Sequence, residues 1–361
     1  MHTKNADRSM ADESWRVPTP VQELAAGVQA PPSRYVQREQ DRPGHRFLAA
    51  DMPEPIPIVD LSKLLTDADE LAKLRSALQA WGLVMVTNHG VEACLMDELM
   101  NASRQFFRQP MEEKLKCSNL VEGKRFQLEG YGNDPVVAQD QILDWNDRLH
   151  LKVEPEEERN LDQWPQHPES FRDLLQEYTS KTNTVRDKIL RAMAKILELD
   201  EECFVSQMGD KAQAIARLNY YPPCPRPELV FGIKPHSDAA VLTVLLADGD
   251  VGGLQVQRDG VWYNVPTMPL TLLINLGDSM EIMNNGIFKS PVHRVVTNAE
   301  KERISLAMFY SMDSDKVLEP AAGLLDEKRP ARYRTITVKD FVAALAEYFS
   351  KGQRIIEALK I

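Results

Sequence analysis

Seven short apolar runs recur between residues 214 and 310, at 214–220, 241–247, 253–257, 261–265, 271–276, 292–296 and 303–310. Each has the length of a strand and is too short for an ordinary helix, and turn-forming residues separate them. Arg258-Asp259-Gly260 carries the Asp-Gly pair of a tight hairpin. Many short strands at this spacing predict a double-sheet barrel or jelly roll.

The flanking segments read as helical. Leu71, Leu74 and Leu78 mark one face of a helix over 67–80, which Gly82 stops. A short strand is expected at Ile56–Asp60 and a buried one at Leu83–Val86, turning at Asn88-His89-Gly90. Further helices are expected at 92–108, 110–116, 168–198 and 338–359. Trp145–Val153 alternates polar with apolar as a strand does, whereas the glycines of 118–142 predict a long loop. At the front, 1–20 is polar, Val21–Val28 has helical spacing closed by Pro31-Pro32, and 38–55 reads as a charged, proline-rich linker. The expected class is α+β with a mainly β core. It divides into an N-terminal extension (1–55), a helical region (56–205), the barrel (206–315) and a helical tail (316–361).

Composition narrows the partners. The net charge is −11, from 43 basic and 54 acidic residues, which argues against nucleic acid and against docking on anionic membranes. No run reaches the ~18 apolar residues of a membrane span, and no signal-peptide apolar region opens the chain. Asp7, Asp12 and Glu13 do not fit an acid-poor transit peptide. Cys94, Cys117, Cys203 and Cys224 show no C-x-x-C spacing, so they fit a reducing compartment. A cytoplasmic monomer acting on a small molecule is expected.

Lys234-Pro235-His236-Ser237-Asp238 carries the chemistry. On an extended segment His236 and Asp238 share a face, because strand side chains alternate with period two. His293, in Ser290-Pro291-Val292-His293-Arg294, lies 55 residues beyond Asp238 on another expected strand. Two imidazoles and one carboxylate form the facial triad of non-haem iron(II) oxygenases. Three protein ligands leave positions for a chelating co-substrate and for O2. The remaining histidines lack such a partner: His2 and His45 sit in loose segments, His89 in a turn, and His150 and His167 read as surface or loop residues.

Ten residues after His293, Arg303 and Ser305 point to one face of a strand. A guanidinium binds a carboxylate bidentately and a hydroxyl adds a donor, which suits the distal carboxylate of 2-oxoglutarate. A surface ion pair of Arg303 with Glu300 or Glu302 is the competing reading. In Asn219-Tyr220-Tyr221-Pro222-Pro223-Cys224-Pro225, Asn219 and Tyr221 share a face and could serve the same carboxylate.

These residues resemble the plant-type 2-oxoglutarate- and iron-dependent dioxygenases. Asn219-x-Tyr221-Pro-Pro-Cys-Pro, His236-x-Asp238, His293 and Arg303-x-Ser305 match in order and spacing. Ile56–Leu61, Gly253–Val256, Trp262–Pro266 and Leu276-Gly277-Asp278 extend the match over nearly the whole chain. Ser237 stands where the family often has threonine; its side chain is expected to point away from the metal. The branch is similar to the senescence-related and norcoclaurine-synthase-like enzymes. The resemblance implies a distorted double-stranded β-helix, Fe(II), 2-oxoglutarate and O2, with ascorbate as reductant. It implies succinate and CO2 as co-products and hydroxylation, desaturation or demethylation of a substrate. Phe309, six residues past Arg303, matches a position that similar enzymes use to stack an aromatic substrate. Arg217 could meet a polar substrate group, and Trp145 and Phe126 could close the mouth; core packing is the competing reading for each. A small aromatic metabolite or hormone is the expected substrate, indole amines among the candidates. Two rivals stay open: a same-fold oxidase that does not use 2-oxoglutarate, and a non-catalytic ligand-binding relative.

Overall fold

The computed structural model describes residues 14–43, 49–50, 52–123, 125–249 and 251–361. The body is built from strands β1 (Ile58–Asp60), β2 (Leu83–Thr87), β3 (Gly130–Gly132), β4 (Asp147–Glu154), β5 (Gln213–Tyr221), β6 (Phe231–His236), β7 (Leu242–Ala247), β8 (Leu254–Arg258), β9 (Val261–Asn264), β10 (Leu272–Leu276), β11 (His293–Val296) and β12 (Arg303–Ser311). Among the described residues, eight form a sheet in the order β1-β2-β10-β7-β12-β5-β4-β3, and four form a second in the order β9-β8-β11-β6. The sheets meet: Met85 and Tyr221 of the first pack with Ile233, Leu254, Val256 and Val295 of the second. This is the α+β jelly roll expected from the seven runs.

Period two divides the large sheet chemically. Ile304, Leu306, Met308 and Tyr310 of β12, with Ala214, Ala216 and Leu218 of β5, belong to the main apolar core. That core also takes in helices α1 (Ala68–Trp81), α2 (Ala93–Arg108) and α3 (Phe171–Ile196). Along α3, Leu175, Tyr178, Thr182, Val185, Ile189 and Met193 recur at three- and four-residue steps and are buried. Each such apolar side chain contributes about 1.5–3 kcal/mol on burial. The intervening residues Arg303, Ser305, Ala307 and Phe309 face the second sheet. One face thus holds the fold together, and the other is left for polar chemistry.

Local signals explain the elements. Asp67 caps α1 by accepting the Asp69 N–H at 2.9 Å. Gly82 closes it at φ 65° and sits so close to Lys289 that a Cβ would lie 2.4 Å from the carbonyl oxygen. The Asp259-Gly260 turn has positive φ at both residues, 52° and 78°, and joins β8 to β9 in antiparallel register.

Several expectations change. The presumed loop 118–142 contains a small hairpin, Leu120–Val121 with Arg125–Phe126, as well as β3. β3 is glycine-rich because Asn119 packs where Gly132 would carry a side chain, so no apolar alternation marks it. Strand β6 contains Gly232 and Pro235 and shows no apolar run; it lies at a sheet edge, where proline is tolerated. The C-terminal helix is two pieces, α4 (Val338–Ser350) and Ile355–Leu359, broken where Gly352 takes φ 64°. Short helices at Cys203–Met208 and Asp278–Met283 were not anticipated. His2, His45 and the early acids lie outside the described residues. No described helix is long and apolar enough to cross a membrane, and the four cysteines are free.

Candidate active site

His236 ends β6 and His293 begins β11, and the two are cross-strand neighbours with ring centroids 4.3 Å apart. Asp238 lies beyond the end of the strand, so period two alone does not place it, contrary to the expectation of one extended segment. It is held by bonds from elsewhere. Its Oδ2 accepts from Thr243 Oγ1 at 2.5 Å and Asn275 Nδ2 at 2.8 Å, and its carbonyl accepts the Asp278 N–H at 2.7 Å. Oδ1 is left facing His236 Nε2 at 3.6 Å and His293 Nε2 at 3.5 Å. One ligand atom from each of the three residues can be chosen so that all lie within 4.8 Å of one another.

Each imidazole is set by a backbone carbonyl. His236 Nδ1 meets Lys234 O at 2.8 Å and His293 Nδ1 meets Pro291 O at 3.2 Å. A carbonyl only accepts, so both Nδ1 atoms carry a hydrogen, and both Nε2 atoms face Asp238 Oδ1. Burial, then the neighbouring His293, pushes the His236 pKa well below its ordinary value. Burial alone would raise Asp238, but the two imidazoles and the Asn275 and Thr243 donors hold it below the usual range. Two imidazoles presenting Nε2 beside a carboxylate are the donor set that suits a divalent iron.

Close packing fixes this geometry. A Cβ on Gly277 would lie 1.9 Å from Ala240 O and 3.0 Å from Asp238 O. Gly277→Ala is therefore expected to destabilise the fold by about 2–3 kcal/mol, read as a lowered thermal midpoint.

The anchor pair is assembled by register. Arg303 lies opposite Tyr221, and Ser305 opposite Asn219. Arg303 is 3% exposed, its guanidinium stands 5.1 Å from the Tyr221 ring centroid, and a terminal nitrogen reaches Ser305 Oγ at 3.4 Å. Asn219 Nδ2 approaches the same hydroxyl at 3.5 Å. Arg303 Nε is buried without a hydrogen-bond partner among the described residues. Glu302 bonds Arg108 and Tyr220 instead, and the burial of Arg303 does not fit a surface pair with Glu300. A buried guanidinium with no carboxylate partner among the described residues calls for an anion from outside. The adjoining cavity is walled by Met85, Leu245, Leu254, Val265 and Leu273, a fit for a short aliphatic dicarboxylate.

Comparison with known proteins agrees with this geometry. Residues 212–312 match the model of the 2OG-Fe(II) oxygenase superfamily, and 56–167 match the N-terminal region of non-haem dioxygenases in morphine synthesis. Protein SRG1 of Arabidopsis thaliana is 36% identical over 91% of this chain and 92% of its own length. The oxoglutarate-dependent flavonoid 7-O-demethylase 1 of Ocimum basilicum is 36% identical, over 100% and 97%. The crystal structure of JOX2 in complex with 2OG, Fe and JA superposes with a TM-score of 0.84 at 34% identity, over 92% of this chain and 94% of that one.

The chain belongs to the 2OG-Fe(II) oxygenase superfamily. It is an oxidoreductase of the 2-oxoglutarate-dependent dioxygenase class, with iron as cofactor.

The other candidates of this oxygenase fall into place unevenly. Phe309 is half-buried and lies opposite Thr243, the residue that holds Asp238. Arg217 directs both terminal nitrogens to Asp134, at 2.9 and 2.8 Å, and Nε to Asn219 at 2.7 Å. Burial would raise the Asp134 pKa, but Arg217 and then Arg148 hold it below the usual carboxylate range. Arg217→Met leaves that half-buried carboxylate to Arg148 and Lys234, and a loss of about 1–3 kcal/mol in unfolding free energy is expected in denaturant titration. Trp145 does not close the mouth: it is fully buried and packs edge-on against Tyr35 at 5.3 Å, beneath the N-terminal segment. Phe126 stays at the surface, 37% exposed, with the Arg148 guanidinium 5.7 Å from its ring centroid.

His150 corrects the sequence reading. It is a buried residue of β4, not a surface one, and both ring nitrogens lack partners among the described residues. Burial, then Arg148 and Arg217, pushes its pKa well down. Sequence reasoning also missed Thr243, Asn275 and Phe349, whose ring edge meets His236 at 5.6 Å. A signal existed for the first two: each is a lone polar residue inside an apolar strand, Leu242–Ala247 or Leu272–Leu276, and a buried polar group needs a partner.

Proposed function

We propose that His236, Asp238 and His293 hold iron(II), and that Arg303, Ser305, Tyr221 and Asn219 seat the distal carboxylate of 2-oxoglutarate. The substrate is a small aromatic metabolite or hormone, which the enzyme hydroxylates, desaturates or demethylates; indole amines are among the candidates. The observation that carries the reading is the buried Arg303 guanidinium, unpaired with any described carboxylate.

The protein's residues supply orientation. The Lys234 and Pro291 carbonyls fix which imidazole nitrogen faces inward. Thr243 and Asn275 fix which Asp238 oxygen does. Met85, Leu245, Leu254, Val265 and Leu273 give the cavity beside Arg303 apolar walls for the aliphatic part of the co-substrate. When bound, iron and 2-oxoglutarate supply the oxidising power for a substrate C–H bond. Phe309 supports an aromatic substrate from the same strand face as the anchor. The flavonoid demethylase relative supports that class and keeps demethylation in view. The organisation that goes with this reading is a cytoplasmic monomer, with the barrel at 206–315 between the helical region 56–205 and the tail 316–361.

The test is a panel of aromatic metabolites incubated with Fe(II), ascorbate and 2-oxoglutarate, read by product mass and succinate. A gain of one oxygen, or loss of two hydrogens or of a methylene unit, with matching succinate is expected. Succinate that no aromatic member stimulates would remove the substrate class.

A further inference from the structure

The two ligand-bearing segments, 236–238 and 290–293, are joined by one residue of the C-terminal tail. Arg354 Nε donates to Ser237 Oγ at 2.8 Å, and Ser237 separates His236 from Asp238. One terminal nitrogen of Arg354 donates to Asp278 Oδ1 at 2.8 Å and approaches Ser290 O at 3.3 Å. Ser290 immediately precedes Pro291, whose carbonyl orients His293. Ser237 Oγ in turn donates to Asp278 Oδ2 at 3.0 Å, and the Asp278 N–H bonds the Asp238 carbonyl at 2.7 Å. The Asp278 side chain is 2% exposed and that of Arg354 is 21% exposed. The tail is seated independently by Ile355 and Ile356, both buried, and by Phe349 against His236.

We propose that Arg354 is a positioning residue for the metal site. It touches no ligand atom. It clamps the Ser237 turn to the Asp278 carboxylate and to the chain entering His293, so the three ligands converge before metal arrives. This rests on the metal assignment above. A guanidinium suits the task because its planar fork reaches hydroxyl, carboxylate and carbonyl together, which an ammonium cannot match. The tail thereby becomes part of the metal site without supplying a ligand.

Groups that orient ligands typically alter metal affinity about 10- to 100-fold when removed. The experiment titrates the full-length protein with Mn(II), a divalent probe that does not turn over, and follows free Mn(II) by electron paramagnetic resonance. Arg354→Met and Ser237→Ala are each expected to raise the Mn(II) Kd about 10-fold or more. The Kd for 2-oxoglutarate at saturating Mn(II) stays within twofold. Ser237→Thr, which keeps the hydroxyl, restores the parent Mn(II) affinity. Mn(II) binding within twofold of the parent in Arg354→Met and Ser237→Ala, whatever their thermal midpoints, would overturn the proposal. If Arg354→Met does not fold, Ser237→Ala against Ser237→Thr decides alone. A parent protein whose Mn(II) binding survives His293→Ala would overturn the metal assignment, and this inference with it.

Discussion

Asp238→Ala and His236→Ala are each expected to abolish turnover while the far-ultraviolet circular dichroism of the purified protein stays that of the parent. Removing one ligand leaves two, and two imidazoles, or one imidazole and a carboxylate, do not fix a facial arrangement. The fold survives for a reason visible around Asp238. Its loss leaves Thr243 Oγ1 and Asn275 Nδ2 without their acceptor, a cost of about 1–3 kcal/mol for each buried group. Against that, a buried carboxylate is removed, and the apolar core lies on the opposite face of the large sheet. Steady-state assays with Fe(II) in excess check the first expectation and circular dichroism the second. Full activity in either variant would remove the iron assignment.

Arg303→Ala is expected to raise the KM for 2-oxoglutarate roughly 30- to 1,000-fold while the KM for the oxidised substrate changes less than about threefold. Removing one partner of a buried, hydrogen-bonded charge pair costs about 2–4 kcal/mol, and each 1.4 kcal/mol is about tenfold. The selectivity follows from position. Arg303 faces the cavity walled by Met85, Leu245 and Leu273, six residues along β12 from Phe309. Arg303→Lys is expected to fall between, since an ammonium keeps the charge and loses the fork. An unchanged 2-oxoglutarate KM in Arg303→Ala would remove Arg303 from the anchor.

What the sequence showed depended on the kind of signal each element carries. The barrel strands were legible because one face of each is apolar: Ile304, Leu306 and Met308 alternate with residues that face inward. The Asp259-Gly260 turn was legible because its backbone needs positive φ. Strands β3 and β6 were not, since glycines replace side chains in one and a sheet edge frees the other from an apolar pattern. The triad was legible as residue types in order, yet the means of holding it was not. Asp238 depends on Thr243, Asn275 and Asp278, which come together only through strand pairing and a buried turn. Trp145 misled because an aromatic beside a glycine-rich segment resembles a lid; residues near Val21 and Tyr35 cover it instead. His150 misled because a polar residue in an alternating strand is ordinarily outside, and β4 turns its polar face into the barrel.

The most direct test of the central claim is the ratio of succinate released to substrate oxidised, measured in parent and His293→Ala protein with and without added Fe(II). The triad and the Arg303 anchor predict one succinate per product in the parent, a requirement for Fe(II), and neither succinate nor product from His293→Ala. Product formed without succinate, or turnover retained in His293→Ala, would contradict the account.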